Sequence, residues 1–190
     1  MPRTTSINTA NRRGYTLVEL LIVIGILGIS SALLVPNLVG RDVMKAEAAV
    51  RLLIGDLSFA QSDALAHQEM RRVHFYDDGR GYCLTRLMDT NQLDDPFDPD
   101  TADYVYDPLH RSSLNNYIVD FTADERWQGV SITSVAIDGA SRNLQYDEIG
   151  GTVMAGGAPG LGGTIRLACD GKTYEVTVAP FTGKLTVRKL

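Results

Sequence analysis

The sequence predicts an α+β protein, with a long N-terminal helix followed by a mostly antiparallel, β-sandwich-like body. Three observations carry that expectation. An apolar block from Tyr15 to Val39 leads into an amphipathic stretch with helical spacing. From Val73 onward the apolar period changes to two. The later strands are punctuated by turn pairs, of which Asp170-Gly171 is the strongest.

The N-terminal block carries the most information. Glu19 is the only charged residue among the 25 from Tyr15 to Val39. At about 1.5 Å per residue such a helix would be ~37 Å long, enough for a hydrocarbon core of about 30 Å. Arg3, Arg12 and Arg13 precede it, with no acid among the first fourteen residues. The positive-inside rule then predicts a cytoplasmic N-terminus and a translocated body. A lone carboxylate in hydrocarbon costs roughly 2.5 kcal/mol or more, which marks Glu19 as a functional residue. Its bland alternative is a helix N-terminal acid favouring the macrodipole, worth a few tenths of a kcal/mol. For the segment as a whole the alternatives are a secretory signal peptide and a plain uncleaved anchor. A signal peptide has an apolar region of about 7–15 residues before a small-residue site, whereas here Ser30-Ser31-Ala32 is followed by more apolar residues. A plain anchor leaves Glu19 without a role.

Gly14-Tyr15-Thr16-Leu17-Val18-Glu19 resembles the leader junction of type IV pilins and type II secretion pseudopilins, usually written G-F-T-L-x-E. The resemblance implies cleavage between Gly14 and Tyr15 by a prepilin peptidase, followed by N-methylation of Tyr15. Tyr15 departs from the usual Phe but keeps the aromatic ring. Glu19 stands at the family's assembly glutamate, and Pro36 where pilins commonly carry a helix-kinking proline. In a stack of such helices the Glu19 carboxylate of one subunit could pair with the new α-amino group of its neighbour, which stabilises the buried charge on assembly.

Beyond the block, Ala46, Val50, Leu53, Leu57, Ala60 and Ala64 form one apolar stripe at helical spacing, with Arg41, Asp42, Lys45, Glu47, Arg51 and Asp56 on the polar sides. Read as one element from Tyr15 to about Ala66, the helix would be roughly 78 Å long, its second half packing on a sheet. Strands are expected at Arg72–Tyr76 and Tyr82–Leu87, flanking the turn Asp77-Asp78-Gly79-Arg80-Gly81. Further strands are expected at Tyr117–Thr122, Gly129–Ile137, Leu144–Glu148, Thr164–Cys169, Lys172–Ala179 and Lys184–Lys189. The organisation is thus a leader (1–14), a transmembrane or filament-core half-helix (15–39), an amphipathic half (40–67) and a β-rich body (68–190). An acidic insertion occupies about 88–126 of that body.

This layout, a helix ending near Ser58-Phe59-Ala60-Gln61-Ser62-Asp63-Ala64, an immediate hairpin and late terminal strands, resembles the GspH/FimT group of minor pseudopilins and minor pilins. The resemblance implies a pilin-like fold and a minor structural subunit. The whole chain has 18 basic and 23 acidic residues, a formal charge of −5. Loss of the leader removes three arginines and no acid, which deepens the charge to −8. An acidic body of that kind argues against nucleic-acid binding, which needs a basic face. Cys83 and Cys169 would lie in an oxidising compartment, so a disulfide is weighed against two half-buried thiols. Cys169 shares a face with Ile165 and Leu167; Cys83 lies opposite Tyr82 and Leu84.

Sites of chemistry are not apparent. The insertion holds Asp89, Asp94, Asp95, Asp98, Asp100, Asp103 and Asp107, but matches no calcium loop and reads as a solvated or contact-forming segment. The glycine-rich run 150–163 precedes a strand rather than a helix and reads as a turn region, not a phosphate loop. His67, His74 and His110 fall in no catalytic or metal motif. No catalytic residue, metal or cofactor is expected.

The resemblance therefore implies a non-enzymatic, GspH-like pseudopilin of a type II secretion system. It would be held in the bacterial inner membrane with a periplasmic body and would then pass into the pseudopilus. Its partners would be other pilins or pseudopilins, the prepilin peptidase and the inner-membrane assembly platform. A FimT-like minor pilin in pilus assembly or DNA uptake is the alternative within the family. A signal-anchored envelope binding protein is the alternative outside it.

Overall fold

Helices come first, as the spacing requires. A computed structural model describes residues 15–39, 41–109, 112 and 114–190, without the side chains of 32–39 and 41–43. The expected single helix is seen as α1 (Leu17–Val39) and α2 (Arg41–His67), with position 40 outside the described residues. α1 falls in one compact unit, and the chain from Asp42 onward forms another.

In α1 every large apolar side chain from Leu17 to Ile29 is exposed. Among the described residues no helix is long and apolar enough to cross a membrane. The described side chains of α1 end at Ser31, so the rest of the apolar block that motivates the spanning expectation lies beyond them.

The second unit is built on α2. Its expected stripe is buried in full, joined by Ala49. The stripe alternates steps of three and four, so its small residues line up on one face and let strands approach closely. Asp56, expected on a polar side, is instead buried at 7% exposure. It accepts hydrogen bonds from Tyr82 Oη at 2.6 Å and Tyr117 Oη at 2.8 Å. Position 56 lies three residues after Leu53 and four before Ala60, so helical geometry puts it inside the stripe. Arg71, almost wholly buried, closes the end of the same seam on Asp63 at 2.5 Å and Glu69 at 3.1 Å.

Among the described residues nine strands follow. They are β1 (Met70–Phe75), β2 (Gly81–Leu87), β3 (Ile118–Asp120), β4 (Val130–Ile137), β5 (Asn143–Tyr146), β6 (Thr152–Val153), β7 (Gly163–Cys169), β8 (Lys172–Val178) and β9 (Leu185–Lys189). They form two antiparallel sheets, β3-β2-β1-β5-β6 and β4-β7-β8-β9. The body is therefore antiparallel β on a helical spine, as the alternation predicts. β6 was not anticipated, because its two residues sit within the glycine-rich run 150–163. The two sheets and the α2 stripe share one core, including Val73, Phe75, Leu84, Leu144, Ile137, Ile165, Leu167 and Val176. Glycine is required at turns such as these two. At Asp170-Gly171 both residues have positive φ, 46° and 78°, as a tight hairpin between β7 and β8 demands. At Gly79 (φ 73°) the β1–β2 turn meets β4 backbone to backbone. There Ile132 N–H donates to the Gly79 carbonyl at 2.9 Å, and a Cβ would collide with the Ile132 carbonyl oxygen.

The opposite face of the first sheet is not left to solvent. Met70, Leu87, Leu93 and Val153 make a second small core beneath the insertion. A 3₁₀ turn at Thr90–Leu93 is closed by a capping box between Asp89 and Gln92. Gln145 Nε2 then donates to the Leu93 carbonyl at 3.0 Å. Phe97 stacks on His74 with ring centroids 4.0 Å apart, and His74 Nδ1 lies 2.7 Å from Asn143 Oδ1. β1 is buried on both faces as a result. The insertion is thus a packed cover for the sheet as well as an acidic surface, and it contains β3.

Two outcomes follow from this packing. Asp56→Ala strands two buried tyrosine hydroxyls and should cost about 2–4 kcal/mol in denaturant unfolding, against ~1 kcal/mol for Tyr82→Phe. Burial pushes the His74 imidazole below its ordinary pKa, opposed by the Asn143 hydrogen bond. The unfolded chain then takes up the proton first, so stability falls as pH drops below about 6.5 and stops falling below the lowered folded value. Melting temperature followed from about pH 7.5 to pH 5, above most carboxylate titration, should decline less steeply in His74→Gln than in the parent.

Candidate processing and assembly site

Thr16 starts α1. Its Oγ1 accepts the Glu19 N–H at 3.2 Å, and its carbonyl accepts the Leu20 N–H at 3.1 Å. Thr-x-x-Glu is the sequence signature of a helix N-terminus, in which the first residue satisfies an otherwise unpaired donor. The capping role of Thr16 was missed in the sequence reading, although that spacing signals it. Glu19 lies in the first turn and is exposed, with its carboxylate free of hydrogen bonds and ion pairs among the described residues. The helix dipole favours an acid there by a few tenths of a kcal/mol. That local benefit needs no apolar surroundings, yet Leu17, Val18, Leu20, Leu21 and Ile22 surround the carboxylate with exposed apolar surface. Among the described residues the arrangement therefore offers an unpaired anion in the first turn of a helix whose apolar side chains are exposed from Leu17 to Ile29.

Tyr15 precedes the helix and is exposed at 81%. Gly14, the other half of the expected cleavage site, lies outside the described residues. Pro36 falls inside the bounds of α1, but its side chain, like the kink expected of it, is outside the description.

The cysteines are corrected. Cys83 and Cys169 are not joined in a disulfide and both thiols are buried, so neither the bridge nor the half-buried thiols weighed from sequence are found. Cys169 belongs to the central core, whereas Cys83 alternates with Tyr82 and Leu84 and so faces the insertion side of the first sheet. Burial, partly offset by hydrogen bonds from Tyr76 and the His74 backbone, pushes the Cys83 thiol up to about 12, which leaves it unreactive.

The other candidates diverge rather than converge. His67 sits 3.2 Å from Asp63 at the end of α2, His74 is packed under Phe97, and His110 lies outside the described residues. In the insertion Asp98 bonds the Asp100 N–H and Thr101 hydroxyl, Asp103 pairs with Arg86 at 2.7 Å, and Asp107 is buried and accepts the Leu109 N–H. Among the described residues no three histidine, cysteine or acidic side chains are grouped to hold a metal.

Residues 9–35 match the family model described as the prokaryotic N-terminal methylation motif. No curated protein and no solved structure matches the chain. The matched stretch spans the Gly14–Tyr15 junction, Thr16 and Glu19, and it supports a type IV pilin-like protein whose N-terminus is a prepilin peptidase substrate.

Proposed function

We propose that this protein is a minor pseudopilin, a structural subunit of a type II secretion pseudopilus of the GspH kind. One observation carries the reading: from Leu17 to Ile29 α1 exposes its apolar side chains on every side, while the Glu19 carboxylate in its first turn is unpaired among the described residues. A helix that is apolar all round belongs in lipid or in a bundle of like helices. No charged residue occurs between Glu19 and Arg41, so the precursor would hold this segment in the inner membrane, N-terminus cytoplasmic and body periplasmic.

Prepilin peptidase would cut between Gly14 and Tyr15, and the new Tyr15 amino group would be methylated. The assembly platform would then draw the helix from lipid into the filament, where Glu19 pairs with the amino terminus of a neighbouring subunit. The mature charge of −8 favours a role in protein export over the capture of DNA by a FimT-like pilin. The body would decorate or cap the filament and perform no chemistry.

Two measurements test this. Intact mass and N-terminal sequencing of the chain from its native envelope should give a start at Tyr15 with one added methyl group. Gly14→Leu should leave the leader attached. Glu19→Val should still be processed, yet cross-link to neighbouring subunits at about one-tenth of the parent level or less, the deficit expected when a buried charge pair is lost. A plain signal anchor would be indifferent to both substitutions.

A further inference from the structure

Between the first sheet and the insertion lies a buried cation with no close counter-ion among the described residues. Arg72 in β1 points away from α2 and is only 4% exposed. Its guanidinium donates through Nη2 to the carbonyl of Gln92 and, at 3.4 Å, to that of Leu93. Its buried Nε has no hydrogen-bond partner. Burial disfavours its charged form, and Asp95 attracts it only from a distance, without an ion pair. Carbonyl oxygens solvate a cation but do not neutralise it, and a buried charge left in that state is costly.

Beside Arg72 is a cavity of about 300 Å³, lined among others by Thr85, Arg86, Leu87, Asp95 and Phe97. Arg72 and Thr85 are buried there, whereas Asp95 is exposed. The other charges are engaged: Arg86 with Asp103 at 2.7 Å, and Asp98 with the Asp100 N–H and the Thr101 hydroxyl. A cation held only by carbonyls therefore sits inside, and a carboxylate with no side-chain hydrogen bond or ion pair among the described residues sits at the opening.

We propose that this cavity binds a small zwitterion of the α-amino-acid type, its carboxylate on Arg72 and its ammonium at Asp95. A simple anion would meet Asp95, Asp98 and Asp103, and a simple cation would meet Arg72 and Arg86. A molecule carrying both charges matches the pattern without either conflict. The volume is at the lower end of ligand pockets, which run from about 300 to 1,000 Å³, so it suits one amino acid with a short side chain. Leu87 and Phe97 supply apolar wall for that side chain. The cavity is pre-formed because Phe97 is stacked on His74 and Leu93 is held by Gln145. This binding does not depend on the filament reading.

The test is titration calorimetry on the full chain in detergent, with alanine, acetate and methylammonium as probes. Alanine should bind about tenfold more tightly than either ion, since it alone makes both charge-assisted contacts. Arg72→Met, which replaces a buried charge by an apolar chain of similar length, should abolish binding of alanine and acetate alike. Asp95→Asn, an exposed change that leaves the fold intact, should reduce alanine to the level of acetate. Equal affinity for alanine and acetate in the parent, indifference to Asp95→Asn, or no heat with any probe at millimolar concentration would each overturn the proposal. The last result would mean that the Gln92 and Leu93 carbonyls alone hold Arg72 in place.

Discussion

The body depends on the small-residue face of α2. Alanines at 46, 49, 60 and 64, with Val50, Leu53 and Leu57 between them, give both sheets a surface to close upon. Larger residues there would hold the strands away, and the shared core could not reach interior packing density. The one polar member of the face, Asp56, is tolerated because Tyr82 and Tyr117 reach it from the first sheet and its approach segment. A carboxylate satisfied by hydroxyls in this way fixes the rotation of the helix against the sheet, since a turn of one residue would break both bonds.

Around this seam the molecule is layered. α2 and the second sheet cover one face of the first sheet, and the insertion covers the other. The same acidic segment that looks hydrophilic in sequence supplies Leu93 to an apolar cluster and Phe97 to a ring stack. Its aspartates mostly organise their own loop, through the cap at Asp89 and the turn at Asp98. Where the insertion meets the first sheet, the buried Arg72 is held by carbonyls rather than by a carboxylate, and the exposed Asp95 stands at the cavity beside it.

What was legible in the sequence follows a physical rule. The α2 stripe and the strand pair around Asp170-Gly171 could be read because their signals are local: spacing along a helix and two residues able to take positive φ. The N-terminal methylation motif was legible for a similar reason, as adjacent residues within 9–35 carry it. Asp56 was misplaced because acids are assigned to wet faces by habit, although its spacing lay within the stripe. The burial of His74, Cys83 and Arg72 could not be read, because alternation presumes one solvated side and β1 and β2 have none. Which distant segment covers a sheet is a tertiary fact, and no period along the chain encodes it. β6 was hidden by glycines that elsewhere mark turns.

The outermost strand has a consequence of its own. β9 is hydrogen-bonded to β8 along one margin, has no strand on the other among the described residues, and is exposed over most of its length. Such a margin is a template on which stray extended polypeptide can grow. Two neighbouring cations, Arg188 anchored across the sheet on Glu175 and Lys189 over the Tyr174 ring, stand along it. Cations along an exposed edge disfavour runaway strand recruitment, a hazard for any chain held at high local density.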